Sequence, residues 1–305
     1  MLKERVVYLN GGYVPWDEAN VHIMCHSFGR GSAIFEVIGF HDTAAGPAVF
    51  RLDEHVARFR QSALLLDMES PLTPEELQAA IIATVKRNGL KRGLIKMIGY
   101  YPEIAFDILP SNKRFQIAIF VFDREDTVGA RPESENRTAS ACVSRWRRLD
   151  PQSVPIEAKA AANYLNGIMA RGEARKRGFE YAVMLDTQGF LAEGGTESVF
   201  LVHQGRLMTP SLGTILSGIS RKSLLAVAEE MGVETVAGRL MPELLSEAEE
   251  IFLSSTPAKL LPIRRMDERL LGEVPGPLTQ KLAARMAAIT AGQDERFRGW
   301  LFPVC

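Results

Sequence analysis

The sequence predicts a two-domain protein of the α/β class, in which short strands alternate with amphipathic helices. A chain of 305 residues is long enough for two domains that each bury a core. The composition of the sequence changes between residues 123 and 136, where the segment DREDTVGARPESEN is polar. Its hydrophobic residues show neither helical nor strand periodicity. We therefore predict a first domain over residues 1–122, a linker over 123–136 and a second domain over 137–305.

The first domain is predicted to combine four strands with two helices. The strands cover residues 6–9, 48–50, 94–101 and 115–122. Residues 53–66 form a helix, because Val56, Phe59 and Ala63 fall on one helical face. A second helix begins after Thr73, a favourable N-cap followed by proline and two glutamates, and ends at Asn88-Gly89.

The second domain is predicted to continue the alternation, with hairpins at residues 187–189 and 203–205. The predicted strands are 138–143, 181–185, 200–202, 206–208 and 251–253, and the predicted helices are 162–176, 220–231 and 278–289.

Composition excludes several classes of partner. A net charge of -1 gives no electrostatic basis for binding nucleic acid or an anionic membrane. The basic run RWRR at residues 145–148 is typical of a solvated loop. The three cysteines are too dispersed for a disulfide framework or a metal site, and they indicate a reducing compartment. No segment has the length of a signal sequence or a membrane span, so we expect a soluble, cytoplasmic protein.

Two residues point to chemistry. Lys159 lies in the uncharged, alanine-rich run AKAAANYLNG, where partial burial would free its amine for imine formation. Glu193 ends a predicted strand beside two glycines and could charge the ring nitrogen of a bound pyridine. A solvated lysine and a turn-capping acid remain the alternatives.

A candidate phosphate-binding site is the third indication of cofactor chemistry. Residues 217–220, SGIS, open a predicted helix, whose first amides form an anion site. Hydroxyl and amide donors follow the strand at residues 254–256. Arg58 is either a guanidinium clamp on phosphate or the partner of Glu54 in an exposed pair.

The order and spacing of these residues resemble those of the fold-type IV pyridoxal-phosphate enzymes. The closest resemblance is to the branched-chain aminotransferases and covers nearly the whole chain. The segments that carry it are FRLDEHVARFRQSA, KAAANYLNGIMARGEARKRGFEYAVMLD, LAEGGTESVFLV, ILSGISRKSL and GPLTQKLAARMAAI. The resemblance implies a D-amino acid aminotransferase-like fold, with a small α/β domain and a larger, β-barrel-like α/β domain.

The resemblance also implies a role for each residue around pyridoxal 5'-phosphate. Lys159 would form the internal aldimine and shuttle the proton, and Glu193 would pair with the pyridinium nitrogen. Tyr164 would bond the ring oxygen, and Leu216 would pack on the ring face. The phosphate would be held by Arg58, Ile219, Ser220 and Thr256.

The expected substrate pocket departs from the family pattern. It contains Arg30 in place of a tyrosine, Phe35 in the FEVIG segment, and Lys96 in place of an arginine. In the turn that would grip the substrate carboxylate stands Pro257, which has no N–H to donate. We therefore expect Arg30 or Lys96 to supply the missing carboxylate anchor.

The resulting prediction is a pyridoxal-phosphate-dependent transaminase of amino-acid biosynthesis, without a metal, that forms a homodimer or a higher homo-oligomer. It would exchange an amino group between a branched-chain or similar aliphatic amino acid and 2-oxoglutarate. The FGRGSAIFEV segment also resembles D-amino acid aminotransferases, which are the first alternative. Aminodeoxychorismate lyase and a non-catalytic binding protein on the same fold are weaker ones.

Overall fold

The computed structural model describes residues 2–123, 126 and 137–304. The predicted linker over residues 123–136 lies outside the described residues except for Asp123 and Asp126. Among the helices of the described ranges, none combines the length and the apolar character needed to cross a membrane.

The chain divides into two compact units. The first consists of Met1–Pro132, Ala158–Ala162 and Ala288–Cys305, and the second of Glu133–Glu157 and Asn163–Ala287. This division differs from the predicted one because residues 158–162 and 288–305 join the first unit. Backbone pairing explains the difference: Leu301–Pro303 pairs with Gly46–Phe50, and Ala160 forms a bridge with Ile34.

The first unit is built on an antiparallel sheet. Its strands are β1 (Val6–Leu9), β2 (Gly12–Pro15), β3 (Ile34–Thr43), β4 (Gly46–Phe50), β5 (Gly93–Tyr100), β6 (Gln116–Phe122) and β16 (Leu301–Pro303). Their order in the sheet is β16-β4-β3-β5-β6-β1-β2. The helices of this unit are α1 (His26–Arg30), α2 (Leu52–Leu65) and α3 (Pro74–Asn88).

The core of the first unit lies between the sheet and helices α2 and α3. The face of α2 that carries Val56, Phe59 and Ala63 is buried, as predicted. The start of α3 is also as predicted, since Thr73 and Glu76 form a reciprocal capping box. The helix ends at Gly89, whose left-handed φ of 63° suits a residue without a Cβ.

The longest strand of this unit, β3, was not predicted. Its buried face alternates Ile34, Glu36 and Ile38, so a carboxylate interrupts the apolar pattern. The strand pairs with β4 on one side and with β5 on the other.

The second unit contains a sheet that closes on itself. Its strands are β7 (Ala139–Val143), β8 (Tyr181–Leu185), β9 (Leu191–Gly194), β10 (Ser198–His203), β11 (Arg206–Pro210), β12 (Thr235–Gly238), β13 (Glu250–Ser255), β14 (Lys259–Met266) and β15 (Arg269–Leu270). The path β10-β13-β14-β7-β8-β9 returns to β10, because β9 pairs with both β8 and β10. This ring is the predicted barrel-like sheet. Strand β14 was not predicted from the sequence; it contains Pro262, which lies opposite Phe252.

The helices of the second unit are α4 (Tyr164–Lys176), α5 (Ile219–Glu230), α6 (Leu244–Glu247) and α7 (Pro277–Thr290), the last of which ends in the first unit. Helix α4 covers strand β8: Ala170 and Ala174 pack with Met184 in a small buried cluster. The ring interior holds aliphatic side chains such as Val199, Leu253 and Ile263.

Candidate active site

The backbone of Lys159 is fixed to two elements of the first unit. Its N–H donates to Oγ of Ser62 at 2.9 Å, and its carbonyl accepts the N–H of Phe35 at 3.0 Å. The Ser62 hydroxyl in turn donates to the carbonyl of Arg58 at 2.9 Å. Because Ser62 is fully buried, these bonds hold Lys159 in a set position against β3 and α2.

Two ammonium groups lie over one aromatic ring. Nζ of Lys159 is 4.9 Å from the Phe35 ring centroid, and Nζ of Lys96 is 5.6 Å from it. In the β3–β5 register, Val37 stands opposite Lys96 and Ile98 opposite Phe35. The predicted residues Phe35, Lys96 and Lys159 are therefore brought together on an apolar face of the sheet, with each cation in cation–π range.

Arg58 is held by a buried carboxylate. Its Nε and Nη2 donate to the two oxygens of Glu36 at 2.7 Å each, and Nδ1 of His55 lies 2.7 Å from the same carboxylate. Burial would raise the pKa of Glu36, but Arg58 and His55 outweigh it and lower that pKa to about 2. Burial lowers the pKa of His55, helped by the positive charges of Arg58 and Lys159.

The structure gives Arg58 a partner that sequence reasoning did not propose, the carboxylate of Glu36. The guanidinium of Arg51 contacts Glu54 at 3.0 Å. Glu36 therefore orients one edge of the Arg58 guanidinium through two parallel hydrogen bonds.

Arg30 lies at the end of α1, in contact with a neighbouring loop. Its Nη2 donates to the carbonyl of Phe106 at 2.9 Å, and the residue is exposed. The same loop is fixed to α1 by His26, whose Nε2–H donates to the carbonyl of Ile108 at 3.1 Å. Arg30 therefore orders residues 106–108 against α1.

In the second unit, Glu193 is a buried carboxylate with a cationic neighbour. Its Oε1 lies 2.5 Å from Nε of Arg148, and its Oε2 accepts the N–H of Leu216 at 3.4 Å. The side chains of both charged residues are about nine-tenths buried. The predicted pair Glu193 and Leu216 is therefore brought together by the structure.

The prediction that the RWRR run is a solvated loop is wrong at one position. Arg145 and Arg147 are exposed, but Arg148 is buried. The backbone explains the difference, since the N–H of Arg148 donates to the carbonyl of Leu185 at 2.8 Å and draws that residue against β8.

Ser198 lies beside several predicted site residues of the second unit, which are called here the half-site of that unit. Ser198 pairs with Glu193 on β9 and with Ser254 on β13. A Cβ at Gly218 would lie 2.9 Å from Oγ of Ser198, so only glycine fits there without displacement. Thr256 and Pro257 follow β13 in the turn before β14, and Pro257 is exposed.

The predicted phosphate residues Ile219 and Ser220 begin helix α5. Gly218 is the N-cap, and no side chain caps this end. The first N–H groups of a helix lack intrahelical acceptors and lie at its positive end. Arg221 adds a buried cation in the same turn: it donates to the carbonyl of Pro210 at 2.8 Å, and burial lowers its pKa.

Tyr164 is the first residue of α4 and is half-buried. This helix approaches the loop after β9 closely, because a Cβ at Gly167 would lie 2.2 Å from the carbonyl oxygen of Gly195. The glycines of the NYLNG and EGGTES motifs therefore allow the start of α4 to lie beside the end of the strand that carries Glu193.

Comparison with known proteins identifies the family. The amino-transferase class IV family model matches residues 33–266. A branched-chain-amino-acid aminotransferase of Salmonella typhimurium is 32% identical, over 99% of this chain and 98% of the relative. The chain belongs to the class IV aminotransferases.

Solved structures of branched-chain aminotransferases match this chain over its whole length. The branched-chain aminotransferase of Thermoproteus uzoniensis, crystallised with norvaline, matches with a TM-score of 0.92 and 34% identity, covering 99% of both chains. That of Thermobaculum terrenum, in its pyridoxal-phosphate form, matches with a TM-score of 0.92 and 29% identity, covering 100% of both. The predicted fold-type IV class, transaminase activity and pyridoxal 5'-phosphate cofactor are thereby confirmed.

The side chains of this aminotransferase fit that cofactor. The first unit offers a lysine amine and the oriented fork of Arg58, and the second offers the buried carboxylate of Glu193 and the uncapped start of α5. Pyridoxal phosphate requires an amine, a carboxylate for its ring nitrogen and hydrogen-bond donors for its phosphate.

Four charged or polar residues of these half-sites were missed by sequence reasoning: Glu36, Ser62, Arg148 and Arg221. Each of them contacts a residue that is distant in sequence and belongs to no recognisable motif, so the sequence alone gives little indication of its role. For Glu36, a charge within the otherwise apolar run IFEVIGF was the one available sign.

Proposed function

We propose that this aminotransferase moves an amino group between a branched-chain or similar aliphatic amino acid and 2-oxoglutarate. One observation carries the proposal: the ammonium groups of Lys159 and Lys96 lie over the same Phe35 ring, on a face that also bears Val37 and Ile98. Apolar side chains beside the amine suit an aliphatic substrate. A second cation suits the additional carboxylate of 2-oxoglutarate.

In this proposal, the residues that the family resemblance indicated hold the cofactor. Arg58, Ile219, Ser220 and Thr256 bind its phosphate, Tyr164 donates to the ring oxygen, and Leu216 packs on the ring. Support comes from the bidentate bond that orients Arg58 and from the first turn of α5, which no side chain caps.

Pyridoxal phosphate, when bound, supplies an aldehyde for the amines of lysine and substrate and a ring that accepts electrons. Lys159 would act as both nucleophile and base: its Nζ would hold the cofactor until substrate takes its place, and would then carry a proton away from and back to substrate. The hydrogen bonds to Ser62 and Phe35 fix its backbone, so only the side chain moves. Glu193 holds the proton on the ring nitrogen.

The substrate carboxylate requires a donor other than Pro257, which has no N–H. Of the two predicted anchors, Lys96 is favoured, because its ammonium shares the Phe35 ring with Lys159. Arg30 already donates to the carbonyl of Phe106 and serves to order that loop. Lys96→Met should therefore raise KM for 2-oxoglutarate much more than Arg30→Met does.

The decisive experiment is a set of half-reactions. Purified holoenzyme is mixed separately with L-leucine, L-valine, D-alanine, D-glutamate and 4-aminodeoxychorismate, and the visible absorbance of the bound cofactor is followed. Loss of the band with L-leucine or L-valine supports the proposal, and Lys159→Ala should abolish that loss. A response to the D-amino acids alone, or to 4-aminodeoxychorismate alone, would replace the proposal with the corresponding alternative.

Absence of any response, with the cofactor demonstrably bound, would contradict transamination of these substrates and favour the binding-protein alternative. A control variant is needed to distinguish loss of the response from a general effect of removing a lysine. Lys86→Ala removes an exposed lysine from the last turn of α3, outside both half-sites, and should leave the response to L-leucine unchanged.

We also propose a homodimer. Apolar side chains stand exposed on α1 and on the loop that it contacts: Phe28 is 73% and Phe106 is 81% exposed, and Ile108 and Leu109 are similarly open. Exposed apolar side chains concentrated in this way are typical of a protein interface. Phe106→Asp should shift the protein to monomer in sedimentation velocity, whereas Leu270→Asp, at an exposed residue of the second unit, should not.

A cytoplasmic location, predicted from the scattered cysteines, stays a prediction.

A further inference from the structure

Arg148 is a buried cation placed behind the carboxylate of Glu193. Its Nε is 2.5 Å from Oε1 of Glu193, yet this N–H is not aligned as a hydrogen bond and has no other partner in the described residues. The contact is therefore an ion pair that depends on charge and position. Both side chains are about nine-tenths buried, so water screens the pair only weakly.

The rest of Arg148 is fixed independently of Glu193. Its backbone N–H donates to the carbonyl of Leu185 at 2.8 Å, and its Nη1 donates to Oδ1 of Asn166 at 3.3 Å. Asn166 is itself held, because its Nδ2 donates to the carbonyl of Arg147 at 2.9 Å. The guanidinium is thus positioned by a strand and by α4 before any cofactor binds.

A carboxylate in this environment would take up a proton if it had no counterion, because burial disfavours the charged form. A protonated Glu193 could not hold a proton on a pyridine nitrogen. We infer that Arg148 is a positioning residue that keeps Glu193 ionised and holds its Oε1 in place. The inference rests on the proposed role of Glu193.

The test compares Arg148→Met with Arg147→Met, its exposed neighbour in the same basic run, and with Glu193→Gln. Each holoenzyme is reconstituted with pyridoxal phosphate labelled with ¹⁵N in the ring, and the ¹⁵N signal reports whether the ring nitrogen is protonated. The apparent Kd for pyridoxal phosphate is measured in parallel.

In the wild type and in Arg147→Met, the signal should be that of a pyridinium. Arg148→Met and Glu193→Gln should both shift it toward unprotonated pyridine, and Arg148→Met should weaken cofactor binding about tenfold, as expected for loss of one buried charge contact. Arg148→Lys keeps the charge without the planar fork and should restore most of the pyridinium signal.

The outcomes separate the two proposals. If Glu193→Gln shifts the signal and Arg148→Met does not, the role of Arg148 is refuted and that of Glu193 stands. If neither variant shifts it, the proposed role of Glu193 fails, and the inference about Arg148 fails with it. A purely structural Arg148 would lower stability in the Met variant but leave the pyridinium signal in place.

Discussion

Replacing Glu36 by glutamine should cost the first unit about 3 kcal/mol of stability. Glu36 is fully buried, and it accepts two hydrogen bonds from Arg58 and lies against Nδ1 of His55, all at 2.7 Å. The amide keeps the shape of the side chain but removes its charge. The largely buried guanidinium of Arg58 then loses the carboxylate charge that it pairs with.

The magnitude follows from the pKa of the carboxyl. Its fall from an ordinary value of 4.5 to about 2 corresponds to about 3 kcal/mol of preference for the ionised form in the folded protein. The same size is expected from mutagenesis of buried ion pairs, where removal of one partner costs about 3–5 kcal/mol. By contrast, the partly exposed pair of Arg51 and Glu54 should contribute at most about 1 kcal/mol.

Urea unfolding can measure this difference in a Trp146→Phe background. The remaining tryptophans, Trp16 and Trp300, both lie in the first unit, so their emission reports its unfolding. Glu54→Gln is the matched control, because it removes a carboxylate from the same region of the chain. If the two glutamine variants lost equal stability, the assignment of Glu36 as the organising charge of this half-site would be wrong.

Three further predictions concern neighbouring features. Wild-type stability should fall on acidification, first below about pH 6.5, where His55 is protonated only in the unfolded chain. It should fall again between pH 4.5 and 2, and Glu36→Gln should make this second step smaller. Ser62→Ala removes the acceptor of the Lys159 N–H and should cost about 1–3 kcal/mol in urea unfolding. Gly167→Ala should lower the melting temperature, because its Cβ would meet the Gly195 carbonyl at 2.2 Å, whereas Gly172→Ala, with open space on the same helix, should raise it slightly.

Local signals were enough to predict most elements of the fold. The end of α3 at Asn88-Gly89 and the hairpin at Gln204-Gly205 depend on residues that favour left-handed backbone, and such preferences act within a few positions. Strands β3 and β14, which were not predicted, contain a buried glutamate and a proline that depart from the usual strand pattern. In both cases tertiary pairing overrides local preference.

The cofactor residues were recognised through motifs, but the residues that support them were not. Ser62 is 97 positions from Lys159, and Glu36 is 22 positions from Arg58. No periodicity connects partners at such distances, so sequence rules treat each as an ordinary serine or glutamate. The sequence therefore identifies which groups perform the chemistry, while the structure is needed to find what orients and charges them.

Arg147 and Arg148 illustrate why this limit is physical. They are adjacent and identical in type, so composition, charge pattern and propensity assign them the same environment. The backbone bond from Arg148 to Leu185 places one guanidinium beside Glu193, while its neighbour stays in solvent. A buried charge is tolerated only where its partner is already in place. The burial of Arg148 therefore depends on Leu185 and Glu193, two residues that only the folded chain brings near it.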